Sequence, residues 1–235
     1  MPHSFSGGSS TLTRISKLIM VHVSALLLEL IHRLIWRIGW INYRGLRLAV
    51  VRGVFSPKYT ITTDLLADVI QQMIKSSYEV LDVGTGTGAL AIIASRKARK
   101  VVAIDIDRRA VLCAKLNAIL NGSSIIVKQG NLFSPLKDER FDVIIFNPPY
   151  LPLRPRPPLG LSVFFAEGAL LESFLSQARY YLKKGGFLLM TYSTLSIKGY
   201  LEFLLRKYKW KYVKIRSFRM PLEEIYVIMA IPHGQ

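Results

Sequence analysis

The chain has 235 residues, about half of them apolar, which is enough for one sizeable core and excludes a disordered protein. Its formal charge is +17, with 7 Lys/Arg to 1 acid over residues 1–57, 12 to 9 over 58–150 and 13 to 5 over 151–235, so the excess lies at the ends and suits an anionic partner such as RNA, a ribosome or a membrane surface. One cysteine, Cys113, excludes a disulfide framework and a cysteine-rich zinc site, and His3, His22, His32 and His233 lack metal-ligand spacing, so the expectation is a cytoplasmic protein with no metal.

Residues 1–10 read as a polar tail. The segment 12–41 reads as an apolar helix on which His22, Glu29, Arg33 and Arg37 share one stripe. The uncharged run between Lys17 and Glu29 is eleven residues long, well short of the roughly 18 that a membrane span needs. Spanning is therefore not expected; contact of this helix with a membrane surface, with a partner or with its own domain stays open. Residues 1–53 are read as tail and helical extension, and 54–235 as the domain that carries the chemistry.

From residue 54 on, strands and helices alternate. Strands are expected over 79–83, 101–105, 125–128, 142–146 and 187–192, with helices over 63–75, 89–98, 109–120 and 167–182 between them, the pattern of a parallel sheet covered on both faces. A last helix over 197–208 precedes strands over 211–217 and 225–231. Their seven-residue connection, residues 218–224, is too short for a crossover helix, so they pair antiparallel. The expected fold is α/β: a Rossmann-like, seven-stranded, mostly parallel sheet with one antiparallel strand, helices on both faces and an N-terminal helical extension.

The first strand of that series runs into D-V-G-T-G-T-G-A, Asp82 to Ala89. Gly84, Gly86 and Gly88 let the backbone turn sharply and approach a ligand at the strand ends. Read as G-x-G-x-x-A, the same letters fit a dinucleotide site, and an NAD-dependent oxidoreductase is the reading that follows from it. Asp105 ends the second strand, where a carboxylate can accept both ribose hydroxyls of an adenosine. That position serves either nucleoside cofactor, and Asp107 is the better candidate for the cap of the next helix.

The fourth strand runs into Asn147-Pro148-Pro149-Tyr150. An amide or ring amino nitrogen is a poor nucleophile because its lone pair is delocalised. The Asn147 side-chain oxygen and the Pro148 carbonyl could each accept one of its N–H groups and aim the lone pair, while Pro149 stiffens the turn and Tyr150 offers a flat face. Arg154 and Arg156, in the basic, proline-rich loop that follows, are further candidates for holding the acceptor.

Together, D-x-G-x-G-x-G, Asp105 and N-P-P-Y resemble the class I S-adenosylmethionine (SAM) methyltransferases, and above all the HemK-like protein-glutamine methyltransferases that modify translation release factors. The resemblance runs over about 54–231. It implies SAM as cofactor, with Asp82, Gly84, Gly86, Gly88 and Asp105 binding it, Asn131 near the adenine amino group, and Thr60 and Thr62 bonding to it from the segment before the first helix. It implies Asn147, Pro148 and Tyr150 as the catalytic set, and Pro149, Tyr150, Arg154 and Arg156 at the acceptor. Relatives that share N-P-P-Y methylate adenine, cytosine or guanine, and one branch works with a small zinc-binding activator protein. The acceptor is thus expected to be a glutamine of a release factor or ribosomal protein, with an exocyclic amine of RNA or DNA as the alternative. The cation and aromatic alternation over 206–219 fits either RNA contact or the core needs of an edge strand. A SAM-binding scaffold without turnover is the reading outside enzymology.

Overall fold

The computed structural model describes Ile19, Val23 and residues 39–148, 168–197 and 199–234. Pro149, Tyr150, Arg154 and Arg156 lie outside the described residues, as does most of the segment 12–41; Ile19 and Val23 are helical.

The end of that segment departs from expectation. Trp40 and Ile41 are not helical but open strand β1 (Trp40–Tyr43), which turns through Arg44 and Gly45 into antiparallel β2 (Leu46–Ala49). Both turn residues have positive φ, 49° and 75°, the two-residue geometry whose twist suits a hairpin. Strict alternation across W-I-N-Y and L-R-L was the available signal. It buries Ile41, Tyr43, Leu46 and Leu48 in the same core cluster as Leu66 and Ile70, so residues before position 54 contribute directly to the core of the domain.

The main sheet contains β3 (Glu79–Val83), β4 (Lys100–Asp105), β5 (Ile126–Gln129), β6 (Phe141–Phe146), β7 (Leu182–Ser193), β8 (Trp210–Arg219) and β9 (Glu224–Pro232), in the order β5-β4-β3-β6-β7-β9-β8. Strands β3 to β7 are parallel, and β9 runs antiparallel to both neighbours. The α/β architecture with one reversed strand is therefore as expected. Its central strands are nearly continuous apolar runs because both faces are covered.

Helices α1 (Ile61–Met73), α2 (Ala89–Ser95) and α3 (Arg108–Leu120) follow the order read from the sequence. With the hairpin, α1 and α2 bury one face of the sheet through Leu66, Ile70, Ile92, Val143, Ile145 and Leu189. Helices α4 (Ala169–Ala178) and α5 (Tyr200–Lys207) cover the other, where Phe174 stacks on Phe146 with ring centroids 3.9 Å apart.

The largest boundary error concerns β7, which starts at Leu182, where a helix was expected to end; α4 stops at Ala178 and a 3₁₀ turn covers Arg179–Tyr181. Gly185 and Gly186, between the helix and the strand expected over 167–182 and 187–192, lie inside this strand. Gly185 takes a φ of 76°, and a Cβ on Gly186 would stand 3.0 Å from the carbonyl oxygens of Phe141 and Asp142, so only glycine lets the two backbones come this close.

Candidate active site

Chain order reverses across the sheet between β3 and β6, the topological switch point at which open α/β sheets bind ligands. Register aligns the candidate residues there. Val83 pairs with Ile104 and with Phe146, and Phe146 with Met190, so Asp105, Gly84, Asn147 and Thr191 follow in one row across the C-terminal edge of four adjacent strands.

The glycine loop is tied down from both sides. The N–H groups of Gly84 and Thr85 donate to the Ile104 carbonyl at 2.8 and 3.0 Å, which anchors the loop to the end of β4. Gly84, Gly86 and Gly88 all have positive φ, so the loop needs glycine at each. Gly88 stands at the N-cap of α2 and has no side chain with which to cap it. Asp82 does so from beneath: its carboxylate accepts from Thr85 Oγ1 at 2.7 Å and from the Ala91 N–H in the first turn of α2. Asp82 is 1% exposed, and burial, with the nearby Asp105 charge adding to it, pushes its carboxyl up to about 7. It shapes the loop from below and does not lie open on the groove.

Asp105 sits on the rim. Its Oδ2 accepts from the Gly86 N–H and its Oδ1 from the Asp107 N–H, both at 2.9 Å, leaving each oxygen a further lone pair for a ribose hydroxyl. Burial raises its pKa. Asp107 caps α3 as expected, accepting from the Arg109 N–H at 2.8 Å. The Gly130 N–H donates to the Asp105 carbonyl at 3.0 Å, which brings the exposed Asn131 alongside. The Phe55 carbonyl lies close to the loop: a Cβ on Gly86 would stand 3.8 Å from it. A backbone cradle with a bidentate carboxylate beside it suits a nucleoside ligand.

Thr60 is the N-cap of α1 and Thr62 stands in its first turn. Both are buried at the start of α1, and the Thr60 hydroxyl bonds within the protein, to the Pro57 carbonyl and to Thr63. Through Thr63, Thr60 connects to Asn147: Asn147 Nδ2 donates to Thr63 Oγ1 at 3.2 Å, while Thr191 Oγ1 donates to Asn147 Oδ1. Thr63 and Thr191 were not singled out from the sequence, where a threonine on a helix and another in a strand carry no motif.

Asn117 was also missed. Buried in α3, it accepts from the Ala49 N–H at 2.7 Å and donates to the carbonyls of Ala49 and Thr87 at 2.9 Å, pinning hairpin and glycine loop to one side chain. The spacing of Cys113, Asn117 and Asn121 could have revealed it: three polar positions four apart mark one polar helix face, and each of these side chains bonds to β2.

The sequence profile described as the methyltransferase small domain matches residues 45–214, most of the chain. The chain belongs to the methyltransferase small domain family. A Methanocaldococcus jannaschii protein that bears the provisional name protein N5-glutamine methyltransferase is 32% identical to this methyltransferase over 197 residues, 81% of this chain and 98% of the relative. The release factor glutamine methyltransferase of Streptococcus pneumoniae is 32% identical over 132 residues, 55% of this chain and 47% of that enzyme, so the methyltransferase matches less than half the length of that relative. Among solved structures, ribosomal protein L11 methylase from Lactobacillus delbrueckii subsp. bulgaricus superposes with a TM-score of 0.56 at 26% identity, over 71% of this chain and 77% of that one. Two solved structures that share the fold, a T. thermophilus 16S rRNA N2 G1207 methyltransferase and SMU.776, hold AdoMet and SAH respectively, and membership of a methyltransferase family sets aside the oxidoreductase reading of the glycine loop.

Proposed function

We propose that this methyltransferase methylates the side-chain amide nitrogen of a glutamine in a translation release factor or ribosomal protein. The observation that carries the reading is Asn147 in the row of Gly84 and Asp105, one strand from the glycine loop and two from the ribose carboxylate. Neighbouring strands lie about 4.8 Å apart, so a methyl donor held on the loop reaches an acceptor held at Asn147. A relative matched over nearly its whole length bears a glutamine methyltransferase name, which supports the amide over a base.

When bound, SAM supplies a methyl group on a positively charged sulfur. Asp105 and the backbone of the glycine loop hold the nucleoside end. Asn147 Oδ1 and the Pro148 carbonyl each accept one N–H of the acceptor amide, which turns the nitrogen lone pair out of conjugation and toward the methyl. With SAM bound, a nitrogen–carbon bond would form as its sulfur–carbon bond breaks and the sulfur leaves as a neutral thioether. The same two oxygens stabilise the charge gathering on nitrogen, which then sheds a proton to water; no general base acts before attack.

The basic stretch 206–219 gives the RNA alternative less than its composition promises. Lys214 and Arg219 pair with Glu224, Arg216 with Asp68, and Trp210 is buried with its indole N–H on the Leu175 carbonyl. Trp210 serves the core, while Lys214, Arg216 and Arg219 hold surface ion pairs on an otherwise exposed strand.

The test is methyl transfer from radiolabelled SAM to purified release factors, ribosomal proteins and RNA, with native enzyme and Asn147→Ala in parallel. Label in protein that survives RNase and vanishes with the variant is the expected result; label in RNA would overturn the reading. The reading places the enzyme with the translation machinery, in the cytoplasm. Repeating the assay with a small zinc-binding protein added tests the activator, whose sign would be a rise in turnover.

A further inference from the structure

An asparagine amide is nearly symmetric in shape, and turned over it would present its NH₂ where the acceptor's N–H must be received. Two donors would then face each other. In this molecule Asn147 Oδ1 accepts from Thr191 Oγ1 and Asn147 Nδ2 donates to Thr63 Oγ1. Hydroxyls by themselves do not choose that orientation, because each can donate or accept.

The choice is made further back. The Thr60 hydroxyl is angled to donate both to the Pro57 carbonyl oxygen, at 2.7 Å, and to Thr63 Oγ1, at 2.9 Å, but it has one proton for the two. A carbonyl only accepts, so the single Thr60 proton belongs to Pro57. The Thr63 proton must therefore fill the bond between the two hydroxyls, and Thr63 is left as an acceptor toward Asn147. Only Nδ2 can satisfy it. Oδ1 is turned to Thr191, with its second lone pair left for the acceptor. Thr60, Thr63 and Thr191 are 4%, 3% and 0% exposed, so water does not readily replace a missing link.

A second observation agrees. Thr60 is the N-cap residue of α1, where a threonine hydroxyl ordinarily accepts from a backbone N–H of the first turn, yet it makes no such bond. Its hydroxyl serves the chain to Asn147 instead.

We propose that Thr60, Thr63 and Thr191 are positioning residues that hold the Asn147 amide one way up, with the polarity of the whole chain set by the Pro57 carbonyl. The proposal rests on the amide-methylation reading of Asn147. It predicts that Thr60, which does not touch Asn147, controls transfer through it.

The experiment compares Thr60→Val, Thr63→Val and Thr191→Val with the matching serine variants, measuring SAM affinity by calorimetry and the single-turnover transfer rate at saturating SAM. The valine variants are expected to keep SAM affinity within about twofold while losing about tenfold or more in transfer rate, and serine to restore most of it. Placed on Asn147→Ala, Thr60→Val should cause no further loss. Wild-type rates in all three valine variants, with Asn147→Ala inactive, would overturn the positioning role and leave the functional reading standing. So would a loss confined to SAM affinity. Equal transfer by wild type and Asn147→Ala would instead overturn the functional reading. If the fully buried Thr191→Val fails to fold, the Thr60 pair carries the test by the same outcomes.

Discussion

Asp105 and Asn147 share one row of the sheet, and the proposed function gives them different work, the nucleoside to Asp105 and the acceptor to Asn147. Asp105→Ala is expected to weaken SAM binding by about tenfold or more, since two hydroxyls lose a charged acceptor. Asn147→Ala is expected to leave SAM affinity within about twofold and remove transfer; calorimetry and single-turnover assays separate the two, and the opposite pattern would reverse the roles. Asp82 allows a test by pH. Its folded pKa of about 7 exceeds the ordinary carboxylate value of about 3.9, so between those values the folded state binds more protons than the unfolded one. Asp82 therefore costs stability progressively as pH rises through that window and fully above it. Asp82→Asn should gain in melting temperature relative to wild type at pH 8 and lose that advantage by pH 4; equal shifts at both would show that Asp82 does not titrate there.

At the scale of elements, the site depends on connections between segments distant in sequence. Asn117→Ala would leave the Ala49 N–H and the Thr87 carbonyl without the partner seen here, at a cost of about 2–4 kcal/mol for buried groups. Because Thr87 lies in the glycine loop, chemical denaturation should show that loss and calorimetry a weaker SAM complex. A variant that is destabilised yet binds SAM normally would confine Asn117 to the hairpin. The elements themselves were legible where period and punctuation agreed: D-V-G-T-G-T-G announced strand, loop and helix at once. They were misread at the start of β7, where residues 182–186 fell to a helix end and a connection although Gly186 allows a close backbone approach inside the strand, and at Trp40–Ala49, where the apolar letters of a helix alternate with the period of a hairpin.

For the whole molecule, the hairpin is part of the core of the domain. A chain starting at residue 39 keeps Ile41, Tyr43, Leu46 and Leu48 in the core, whereas one starting at 54 removes them. At roughly 1.5–3 kcal/mol for each large apolar side chain, that loss is comparable to the whole stability of a domain. The longer chain should fold and bind SAM and the shorter should not, by circular dichroism and calorimetry; a folded, SAM-binding 54–235 fragment would show that the core closes without the hairpin.

The sequence by itself determined the alternating fold, the reversed strand near its end, the glycine loop and the amide placed after the fourth strand of the parallel series. These are local matters, governed by periodicity, by the φ values glycine alone tolerates and by connections too short to cross a sheet. Only the tertiary structure decided which partners Asp82, Asn117, Thr60, Thr63 and Thr191 meet. Each acts through a hydrogen bond to a residue brought near by strand register and helix packing, and the direction of such a bond depends on which donors and acceptors meet. Spacing along a chain carries no record of that.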